Sequence, residues 1–315
     1  MKCPICNSIT RVYDSRIKSN FIYRRRECPE CECRFSTKEV YKETYMDTTN
    51  IVKRIKLWLI GQIKETGLKG FVIGVSGGID SAVTSTLCAD TGYPTMCIRM
   101  PLNSSSNSLK RAEEHVKWLI KKYSNITDFE VDLGPSFEFY IRNLPEEAKK
   151  ELALINTKSR LRMITLYNFA GSNEYFVVGT GNKIEDYGIG YFTKFGDGAC
   201  DLSPIGDLKK SQVYDIAKYF GIIESIQSAK PCDGLWNDNR SDEETIGATY
   251  EELEWAMDFC EKNRIESLFQ YKKMENLFIS KKQKKILDIY LSRHEKNQHK
   301  MKMPPICLLN INKEK

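Results

Sequence analysis

A serine- and glycine-rich turn at residues 76–78 is the stretch of this sequence best suited to bind an anion. The apolar, β-branched run at residues 71–75 predicts a buried strand, and residues 81–90 predict a helix. Between them, the glycines let backbone N–H groups approach an anion closely, and the start of the helix adds partial positive charge. The hydroxyls of Ser76 and Ser81 add two donors. The order strand, glycine turn, helix therefore predicts a phosphate site.

One acidic residue in this stretch points to a metal ion. Asp80 would repel a phosphate unless a divalent cation lay between the two, and Mg²⁺ prefers oxygen ligands of this kind. No lysine follows the glycines, so the turn is not a G-x-x-x-x-G-K-[ST] loop. The run Ser76-Gly77-Gly78-Ile79-Asp80-Ser81 instead resembles the pyrophosphate-binding loop of the ATP-pyrophosphatase family, enzymes that cleave ATP between its α and β phosphates.

A second candidate site consists of cysteines near the N-terminus. Four of the eleven cysteines form two C-x-x-C pairs, Cys3 with Cys6 and Cys28 with Cys31. Four thiolates at this spacing match tetrahedral Zn²⁺, and so short a segment would take most of its folding free energy from the metal. Cys33 is an alternative ligand with poorer spacing. The remaining cysteines are scattered, which favours free thiols over a disulfide scaffold.

The residues around these cysteines are basic and aromatic, a composition that suits phosphate contacts and stacking. The Cys-Pro-x-Cys start, Arg-Val-x-Asp-Ser-Arg, Arg-Arg-Arg-Glu-Cys and Arg-Phe-Ser-Thr segments resemble the N-terminal zinc ribbon of the NrdR family, bacterial repressors of ribonucleotide reductase genes. That family continues into a nucleotide-sensing domain, and nothing after residue 45 resembles one. Two roles stay open for the ribbon: it binds DNA, or its basic face docks a partner.

The composition sets the broad class. A chain of 315 residues can bury one large α/β core and carry a small appendage, and its formal charge of +6 permits an anionic substrate or partner. No apolar run is long enough to span a membrane. The start Met-Lys-Cys-Pro shows no apolar signal region, so we expect a cytoplasmic, reducing location.

After residue 46, strand and helix patterns alternate. Strands are predicted at 71–75, 95–100, 129–133 and 176–180, and helices at 50–66, 81–90, 109–123 and 156–170. This order indicates a parallel sheet with helices on both faces, with ligands at the carboxyl ends of the strands. A second glycine-bearing turn, Gly179 to Lys183, would present Thr180 and Glu185 at that same edge. Arg160 and Arg162 lie about 200° apart around a helix, so only one can face a given site.

The blocks in the second half of the chain resemble NAD synthetase. They are G-T-G-N-K-x-E from Gly179, Y-F-T-K-F-G-D-G from Tyr191, D-L-x-P-I-G-D-L-x-K from Asp201, D-E-E-x-x-G-x-T-Y-E-E-L from Asp242 and H-K-x-x-x-P-P from His299. With the Ser-Gly-Gly turn they cover residues 50–308 in the family's order. The resemblance implies an α/β fold with a parallel five-stranded, Rossmann-like sheet of the adenine nucleotide α-hydrolase type. The predicted domains are a zinc ribbon at 1–45 and a synthetase domain at 46–315.

The resemblance also implies the reaction, a ligase activity that forms a C–N bond. ATP adenylates the nicotinate carboxylate of deamido-NAD with release of pyrophosphate, and ammonia then displaces AMP to give NAD. Because the extra amidase domain of glutamine-using forms is far larger than 45 residues, free ammonia is the expected nitrogen source. The family further implies a homodimer.

The site residues follow by correspondence with the family's motifs. The ATP-binding set is Ser76, Gly77, Gly78, Asp80, Ser81, Arg99, Thr180, Lys210 and Cys232. The Mg²⁺ ligands are Asp80 and Glu185, and Lys210 neutralises the leaving phosphates. The deamido-NAD set is Arg160, Lys194, Asp197, His299 and Lys300, of which Asp197 also orients ammonia. Cys232 replaces the usual Ser or Thr, and a thiol is a weaker donor, so reduced ATP affinity is expected.

Two alternatives compete with this interpretation. A tRNA-thiolating enzyme of the ATP-pyrophosphatase type also combines zinc-binding cysteines with a Ser-Gly-Gly turn, but it would need reactive cysteines beside the site. A DNA-binding regulator could sense nucleotides through an inactive synthetase domain. The intact charged residues Asp80, Glu185 and Lys210 favour an active enzyme over that second alternative.

Overall fold

The computed structural model describes residues 1–18, 21–40, 47–102, 106–231, 241–274 and 279–307. The chain divides into two compact units, Met1–Asp47 and Thr48–Lys315. The boundary predicted after residue 45 lies outside the described residues.

The first unit is built on a three-stranded antiparallel sheet in the order β1-β2-β3. Its strands are β1 (Arg11–Lys18), β2 (Phe21–Glu27) and β3 (Arg34–Val40). The carboxylate of Glu27, on the central strand, accepts hydrogen bonds from Arg11 at 3.1 Å and from Arg34 at 2.9 Å. This one side chain therefore links all three strands, at the end of the sheet next to Cys28.

The second unit contains a parallel sheet in the order β6-β5-β4-β7. Its strands are β4 (Gly70–Gly74), β5 (Thr95–Arg99), β6 (Ile126–Glu130) and β7 (Tyr175–Val177). The central strand β4 is apolar on both sides, as expected when helices cover both faces of a parallel sheet. Its residues Phe71, Val72 and Ile73 expose no surface to solvent.

The helices of this unit account for most of its chain. They are α1 (Thr48–Thr66), α2 (Ile79–Asp90), α3 (Ser106–Lys122), α4 (Gly134–Arg142), α5 (Glu151–Asn173), α6 (Lys210–Phe220), α7 (Glu224–Gln227), α8 (Asp242–Ile246), α9 (Tyr250–Asn263), α10 (Leu268–Lys272) and α11 (Lys281–Met301). A 3₁₀ turn lies at Glu146–Ala148, and a π-helical segment lies at Ile184–Ile189. No helix within the described ranges combines the length and apolar character needed to cross a membrane.

Alternating side chains of β4 point to opposite faces of the sheet and belong to different cores. Phe71 and Ile73 pack with residues of α1, α2 and α6 on one face. Val72 packs with residues of α4 and α5 on the other. A separate core joins α9, α11 and the π-helical segment. The prediction of an α/β fold with flanking helices is confirmed.

The predicted number of five strands is wrong for the described residues, which form a four-stranded parallel sheet. Where a fifth strand would pair with β7, the chain makes a single parallel bridge between Val178 and Leu202. Pro204 has no N–H to donate, and a turn closes at once through the bond from Gly206 N to Ser203 O at 3.1 Å. The chain therefore leaves the sheet before a ladder can form.

Several predicted boundaries are also shifted. The third strand lies at Ile126–Glu130 and not at 129–133, because its register with β5 begins at the pair Thr95 and Ile126. Helix α5 begins at Glu151, five residues before the predicted start at 156. There, the polar Thr157 is accommodated inside the helix because its hydroxyl donates to Ala153 O at 2.9 Å.

Candidate active site

The Ser-Gly-Gly turn connects the end of β4 to the start of α2, as the sequence predicts. Gly77 has φ +83°, and a Cβ there would lie 2.2 Å from the carbonyl oxygen of Ser108, so only glycine fits this position. The Ser76 and Ser81 hydroxyls lie 3.1 Å apart, and Ser81 also donates to Gly78 O at 3.0 Å. These bonds hold the turn in the shape that presents its backbone.

A cavity of about 290 Å³ opens over this turn at the carboxyl ends of β4 and β7. Most of the residues predicted for ATP, Mg²⁺ and catalysis line it: Ser76, Gly77, Gly78, Asp80, Ser81, Thr180, Glu185, Asp197 and Lys210. The two glycine-bearing turns therefore meet at one edge of the sheet, which is where ligands bind in open α/β sheets. Cys232 lies outside the described residues.

Three charged side chains from distant parts of the sequence converge at the bottom of the cavity. Lys210, the first residue of α6, is 3 % exposed. Its Nζ lies 2.6 Å from Asp80 Oδ2 and 2.9 Å from Glu185 Oε1. Asp80 is in the first turn of α2, and Glu185 is in the π-helical segment. The two carboxylates thus point at one position, which the lysine ammonium fills.

Asn182 and Tyr250 hold these two carboxylates in place. Asn182 is fully buried, donates to Asp80 Oδ1 at 3.2 Å and accepts from the backbone N–H of Glu185 at 3.1 Å. The Tyr250 hydroxyl donates to Glu185 Oε1 in a short hydrogen bond. Tyr250 opens α9, whose N-cap Thr249 accepts a hydrogen bond from the backbone N–H of Glu252. The helix start therefore fixes the tyrosine.

Within this cluster, the pKa values of Lys210 and Asp80 are raised and that of Glu185 is lowered. Burial would lower the pKa of Lys210, but Asp80 and Glu185 raise it above the ordinary lysine value. Burial raises the pKa of Asp80, against the charge of Lys210. For Glu185, the effect of burial is more than offset by Lys210, Tyr250 and Asn182, so its pKa is lowered. Glu185 receives more donors than Asp80, which explains the difference between the two carboxylates.

Two further carboxylates, those of Asp186 and Asp197, line the cavity. Asp197 accepts hydrogen bonds from the Ser159 hydroxyl and, at 3.0 Å, from the backbone N–H of Thr193. Asp186 packs against Gly181, where a Cβ would lie 1.9 Å from Asp186 Oδ2. Burial and the neighbouring charges of Glu185 and Asp197 raise the pKa of Asp186 well above the ordinary aspartate value. Asp186 therefore keeps its proton to a higher pH than an ordinary aspartate does.

The remaining predicted residues are not among those that line the cavity in the described chain. Arg99 is engaged by Asp128, whose oxygens lie 2.9 Å and 3.0 Å from its guanidinium nitrogens, and by Glu130. Arg160 donates to the Lys194 carbonyl at 3.3 Å, and Lys194 Nζ donates to the His299 carbonyl at 2.6 Å.

The second residue of the predicted tail pair makes a similar contact. Lys300 Nζ donates to the Phe192 carbonyl at 2.7 Å. Arg160, Lys194, His299 and Lys300 thus connect α5, the loop at residues 192–194 and the end of α11. Their assignment to deamido-NAD stays a prediction.

Several cavity residues were not assigned a role from the sequence. Arg111 on α3 donates to Gly77 O at 3.0 Å, and Arg162, rather than Arg160, lines the cavity. The 200° separation of these two arginines indicated that only one would do so. Asn182 and Tyr250 belong to the quoted NAD synthetase blocks, and that was the only signal that could have identified them.

The four predicted zinc ligands form one cluster in the first unit. The Sγ atoms of Cys3, Cys6, Cys28 and Cys31 all lie within 4.8 Å of one another. Cys33 is not part of the group. Hydrogen bonds from Ser8 lower the pKa of Cys6 to about 6, which favours a thiolate near neutral pH.

Two family models match the chain. Residues 51–304 match NAD synthase, and residues 1–39 match the N-terminal domain of the transcriptional repressor NrdR-like family. The chain belongs to the NAD synthase family. Both resemblances predicted from the sequence are confirmed, and the synthase match favours them over a tRNA-thiolating enzyme.

Individual relatives support this membership. An NH(3)-dependent NAD(+) synthetase of Mycoplasma genitalium is 36 % identical over 81 % of this chain and 96 % of its own length. An NH(3)-dependent NAD(+) synthetase of Methanosarcina mazei is 34 % identical over 83 % of this chain and 98 % of its own length. A structure of NMN synthetase from Francisella tularensis has a TM-score of 0.70 at 31 % identity, covering 82 % of this chain and 98 % of that chain.

A structure of the NH3-dependent NAD synthetase from Campylobacter jejuni has a TM-score of 0.65 at 26 % identity. It covers 84 % of this chain and 100 % of that chain. The NAD synthase match at residues 51–304 thus falls within the second unit, and the NrdR-like match at residues 1–39 falls within the first.

Proposed function

We propose that this protein is an ammonia-dependent NAD⁺ synthetase. The carboxylate of deamido-NAD attacks the α phosphorus of ATP, and pyrophosphate leaves. Ammonia then attacks the acyl carbon, and AMP leaves with the carboxylate oxygen it received. The observation that carries the proposal is the convergence of Asp80, Glu185 and Lys210 beside the Ser-Gly-Gly turn, in a chain of the NAD synthase family.

The proposed roles at the phosphate end follow from this geometry. The turn residues Ser76, Gly77, Gly78 and Ser81, with Thr180 across the cavity, bind the β and γ phosphates of ATP. Lys210 neutralises charge that develops on the leaving pyrophosphate. Asp80 and Glu185 fit a divalent cation because both carboxylates already converge on one positively charged group. When bound, Mg²⁺ would offset the negative charge of the phosphates.

The proposed roles at the nicotinate end rest on family correspondence. Asp197 orients ammonia or the nicotinate group, and hydrogen bonds from Ser159 and Thr193 fix the position of its carboxylate. Arg160, Lys194, His299 and Lys300 contact deamido-NAD. Arg99 contacts the nucleotide, which would require it to loosen its ion pairs with Asp128 and Glu130. Cys232 would stand near a phosphate as a weak donor.

One assay tests the central proposal. The full chain is incubated with deamido-NAD, ATP, Mg²⁺ and ammonium, and NAD is read by a coupled dehydrogenase. We expect NAD, AMP and pyrophosphate in equal amounts. An Asp80→Ala variant serves as the inactive control. If wild-type protein forms no more NAD than this variant, the chain is not a synthetase, and a regulatory role for the domain becomes the better explanation.

A second candidate substrate is nicotinate mononucleotide. The observation that favours it is the similarity to a solved NMN synthetase, at a TM-score of 0.70. The same adenylation and amidation chemistry serves both substrates, because they share the nicotinate carboxylate. Competition between deamido-NAD and nicotinate mononucleotide in one reaction, with both products quantified, decides between them through the ratio of the two kcat/KM values.

For the ribbon, we propose a structural zinc site and a separate binding role. Four thiolates within 4.8 Å suit tetrahedral Zn²⁺, so we expect about one zinc per chain by elemental analysis. Thiolates must stay reduced to bind the metal, which fits a cytoplasmic location. We place the ribbon at residues 1–45 and the synthetase at 46–315.

DNA is the first ligand to test for the ribbon. The central strand β2 carries Arg24, Arg25 and Arg26, and the exposed Arg25 lies 3.8 Å from Asp14. Changing all three to Gln should weaken DNA binding and reduce its dependence on salt. A matched control changes three exposed lysines of α11 to Gln, Lys281, Lys284 and Lys285. If wild-type protein shifts no DNA at low salt, docking of a protein partner is favoured.

We also propose that the protein forms a homodimer. Helix α5 carries apolar side chains on its exposed face as well as on the face that it buries. Ile155, Met163 and Leu166 are buried in the core, yet Ile164 and Tyr167 are exposed on the opposite face. Sedimentation of the wild type against an Ile164→Glu variant tests this, since the variant should sediment as a monomer if α5 lies in the interface.

A further inference from the structure

The ammonium of Lys210 lies where the two proposed metal ligands converge. Its Nζ is 2.6 Å from Asp80 and 2.9 Å from Glu185, and the residue is 3 % exposed. A divalent cation bound by both carboxylates would need the same position. The two cations cannot share it, because like charges at such separation repel strongly in a buried site.

We propose that Lys210 occupies the cation position of the empty enzyme, and that the metal can enter only after a nucleotide phosphate has drawn the ammonium away. This inference rests on the proposed function. It assigns Lys210 two successive partners, first the carboxylate pair and then the phosphates, and it makes metal binding depend on nucleotide binding.

The energetics favour such an exchange. Two neighbouring carboxylates whose side chains are only 18 % and 17 % exposed would be costly without a counter-charge, so the empty site needs a cation. Lysine suits this position because its charge is compact and sits on a flexible stem of four carbons. The side chain also lines the cavity, and its ammonium lies 4.7 Å from the centre of the Tyr250 ring. The ammonium can therefore turn towards the phosphates without leaving a polar environment.

The phosphates supply the opposing attraction. The Ser-Gly-Gly turn, which would hold them, lines the same cavity as Lys210. Each phosphate that binds adds negative charge, so the ammonium can leave the carboxylates without losing an anionic partner. The carboxylates are then free for the metal. By linkage, the nucleotide should tighten metal binding and the metal should tighten nucleotide binding by the same factor.

The test measures metal binding directly, without nucleotide and without turnover. Mn²⁺ replaces Mg²⁺, and its binding to the full, zinc-loaded chain is followed by electron paramagnetic resonance. Wild-type protein should bind Mn²⁺ weakly. A Lys210→Met variant, which frees the carboxylate pair, should bind one Mn²⁺ at least tenfold more tightly. Equal or weaker binding by this variant would overturn the proposal.

The neighbouring lysine provides a matched control. Lys209 is the N-cap of the same helix and pairs with Asp258 at 2.5 Å, away from the cluster. A Lys209→Met variant should bind Mn²⁺ as the wild type does. If it too gained affinity, a general loss of positive charge would explain the result and the proposal would fail.

A second measurement, of the unfolding temperature, tests the proposal even if the Lys210→Met variant is less stable than the wild type. Removing the ammonium leaves two carboxylates without a counter-charge, so the unfolding temperature of Lys210→Met should fall without metal and rise again with Mn²⁺. The wild type should show little change with the same Mn²⁺. No metal-dependent recovery in the variant would count against the proposal. Because NAD synthesis by the wild type is measured separately, these results can reject the lysine exchange while the synthetase function stands.

Discussion

At the scale of single residues, the site depends on side chains that hold its charged groups in place. Asn182 donates a hydrogen bond to the carboxylate of Asp80, and Tyr250 donates one to the carboxylate of Glu185. Each of these bonds involves a charged acceptor, which makes it stronger than a bond between neutral groups. Their loss should therefore weaken the proposed metal site without changing its ligands.

A Tyr250→Phe substitution tests this positioning role. It removes the hydroxyl that donates to Glu185 and keeps the ring beside Lys210. We expect the Mg²⁺ concentration for half-maximal rate to rise about tenfold, which corresponds to about 1.4 kcal/mol. KM for deamido-NAD should stay close to the wild-type value. A purely structural role would lower stability and leave the Mg²⁺ dependence unchanged.

Tyr290→Phe is the matched control. Tyr290 is buried to the same degree, 6 % exposed against 7 % for Tyr250, and packs in the same core. Removing the Tyr290 hydroxyl should leave the Mg²⁺ concentration for half-maximal rate unchanged.

A buried histidine outside the site predicts how stability depends on pH. His115 on α3 exposes no surface, and its Nε2 lies 3.0 Å from the Ser85 hydroxyl. Burial lowers its pKa from 6.5 to about 4. The folded state therefore favours the neutral ring, so its contribution to stability is complete above pH 6.5 and is lost as pH falls towards 4.

We expect about 3 kcal/mol of unfolding free energy to be lost over that range through this group. His115→Gln cannot titrate, so urea unfolding of the variant should show a smaller loss between pH 7 and pH 4 than the wild type. The exposed His299 supplies the control, and His299→Gln should follow the wild-type curve. Parallel curves for wild type and His115→Gln would contradict the assignment.

The residues that carry charge were predictable, and those that support them were not. The positions of Asp80, Glu185 and Lys210 follow from motifs that end strands or begin helices, and the structure brings all three together. The bond between Tyr250 and Glu185 spans 65 residues of sequence, and the bond between Asn182 and Asp80 spans 102. Hydrophobic periodicity and short motifs do not indicate which residues come into contact when they lie so far apart in the sequence.

At the scale of elements, the phosphate turn is shaped by a neighbouring helix as well as by its own glycines. The carbonyl of Ser108 and the backbone N–H of Ala112, both on α3, approach Gly77 so closely that no side chain fits there. Arg111 on the same helix donates to Gly77 O. The start of α3 therefore packs directly against the turn.

Two glycine substitutions separate strain from this close packing. Gly77 and Gly92 both have positive φ, +83° and +86°, but a Cβ at Gly92 meets nothing within 4 Å. Gly92→Ala should lower the free energy of unfolding by about 1 kcal/mol, because a residue with a Cβ is strained at positive φ. Its KM for ATP should stay unchanged. Gly77→Ala should lose more stability in urea unfolding, and its KM for ATP should rise at least tenfold. Equal effects at both positions would mean that packing against α3 has no influence.

Element type was easier to predict than element extent. Strands β4 and β5 and helix α2 follow from apolar runs and a glycine turn, because those signals are local. The fifth strand fails because Pro204 and the turn after it intervene, while Asp201 N still donates to Val177 O at 2.9 Å. Helix α5 runs through Asn156, whose side chain accepts from the Thr193 hydroxyl at 2.7 Å, a contact that the sequence alone does not show.

At the scale of the whole molecule, the two units have separate means of folding. The hydrophobic cores described above lie in the second unit, whereas the first unit contains the cluster of four cysteines for which we propose zinc. All residues that line the cavity fall between Gly74 and Asp242.

We therefore expect the ribbon to be dispensable for synthesis. A chain that begins at Thr48 should keep kcat and KM within about twofold of the full-length values. A zinc chelator should abolish amide protection at residues 1–40 in hydrogen exchange of the full chain and leave the second unit protected. Loss of NAD synthesis on removal of the ribbon would show that the ribbon takes part in catalysis.

The missing fifth strand has a consequence for how the protein behaves when concentrated. Beside β7, the Asp201 carboxylate accepts from Val177 N at 2.8 Å, in the place where a neighbouring strand would offer a carbonyl. At the far side of the sheet, β6 carries Asp128 and Glu130, both engaged by Arg99. Within the described sheet, a side-chain carboxylate takes up a backbone N–H at one margin and charged side chains stand on the strand at the other, and both features oppose pairing with a strand from another molecule. The sheet thereby resists the edge-to-edge pairing that leads to aggregation.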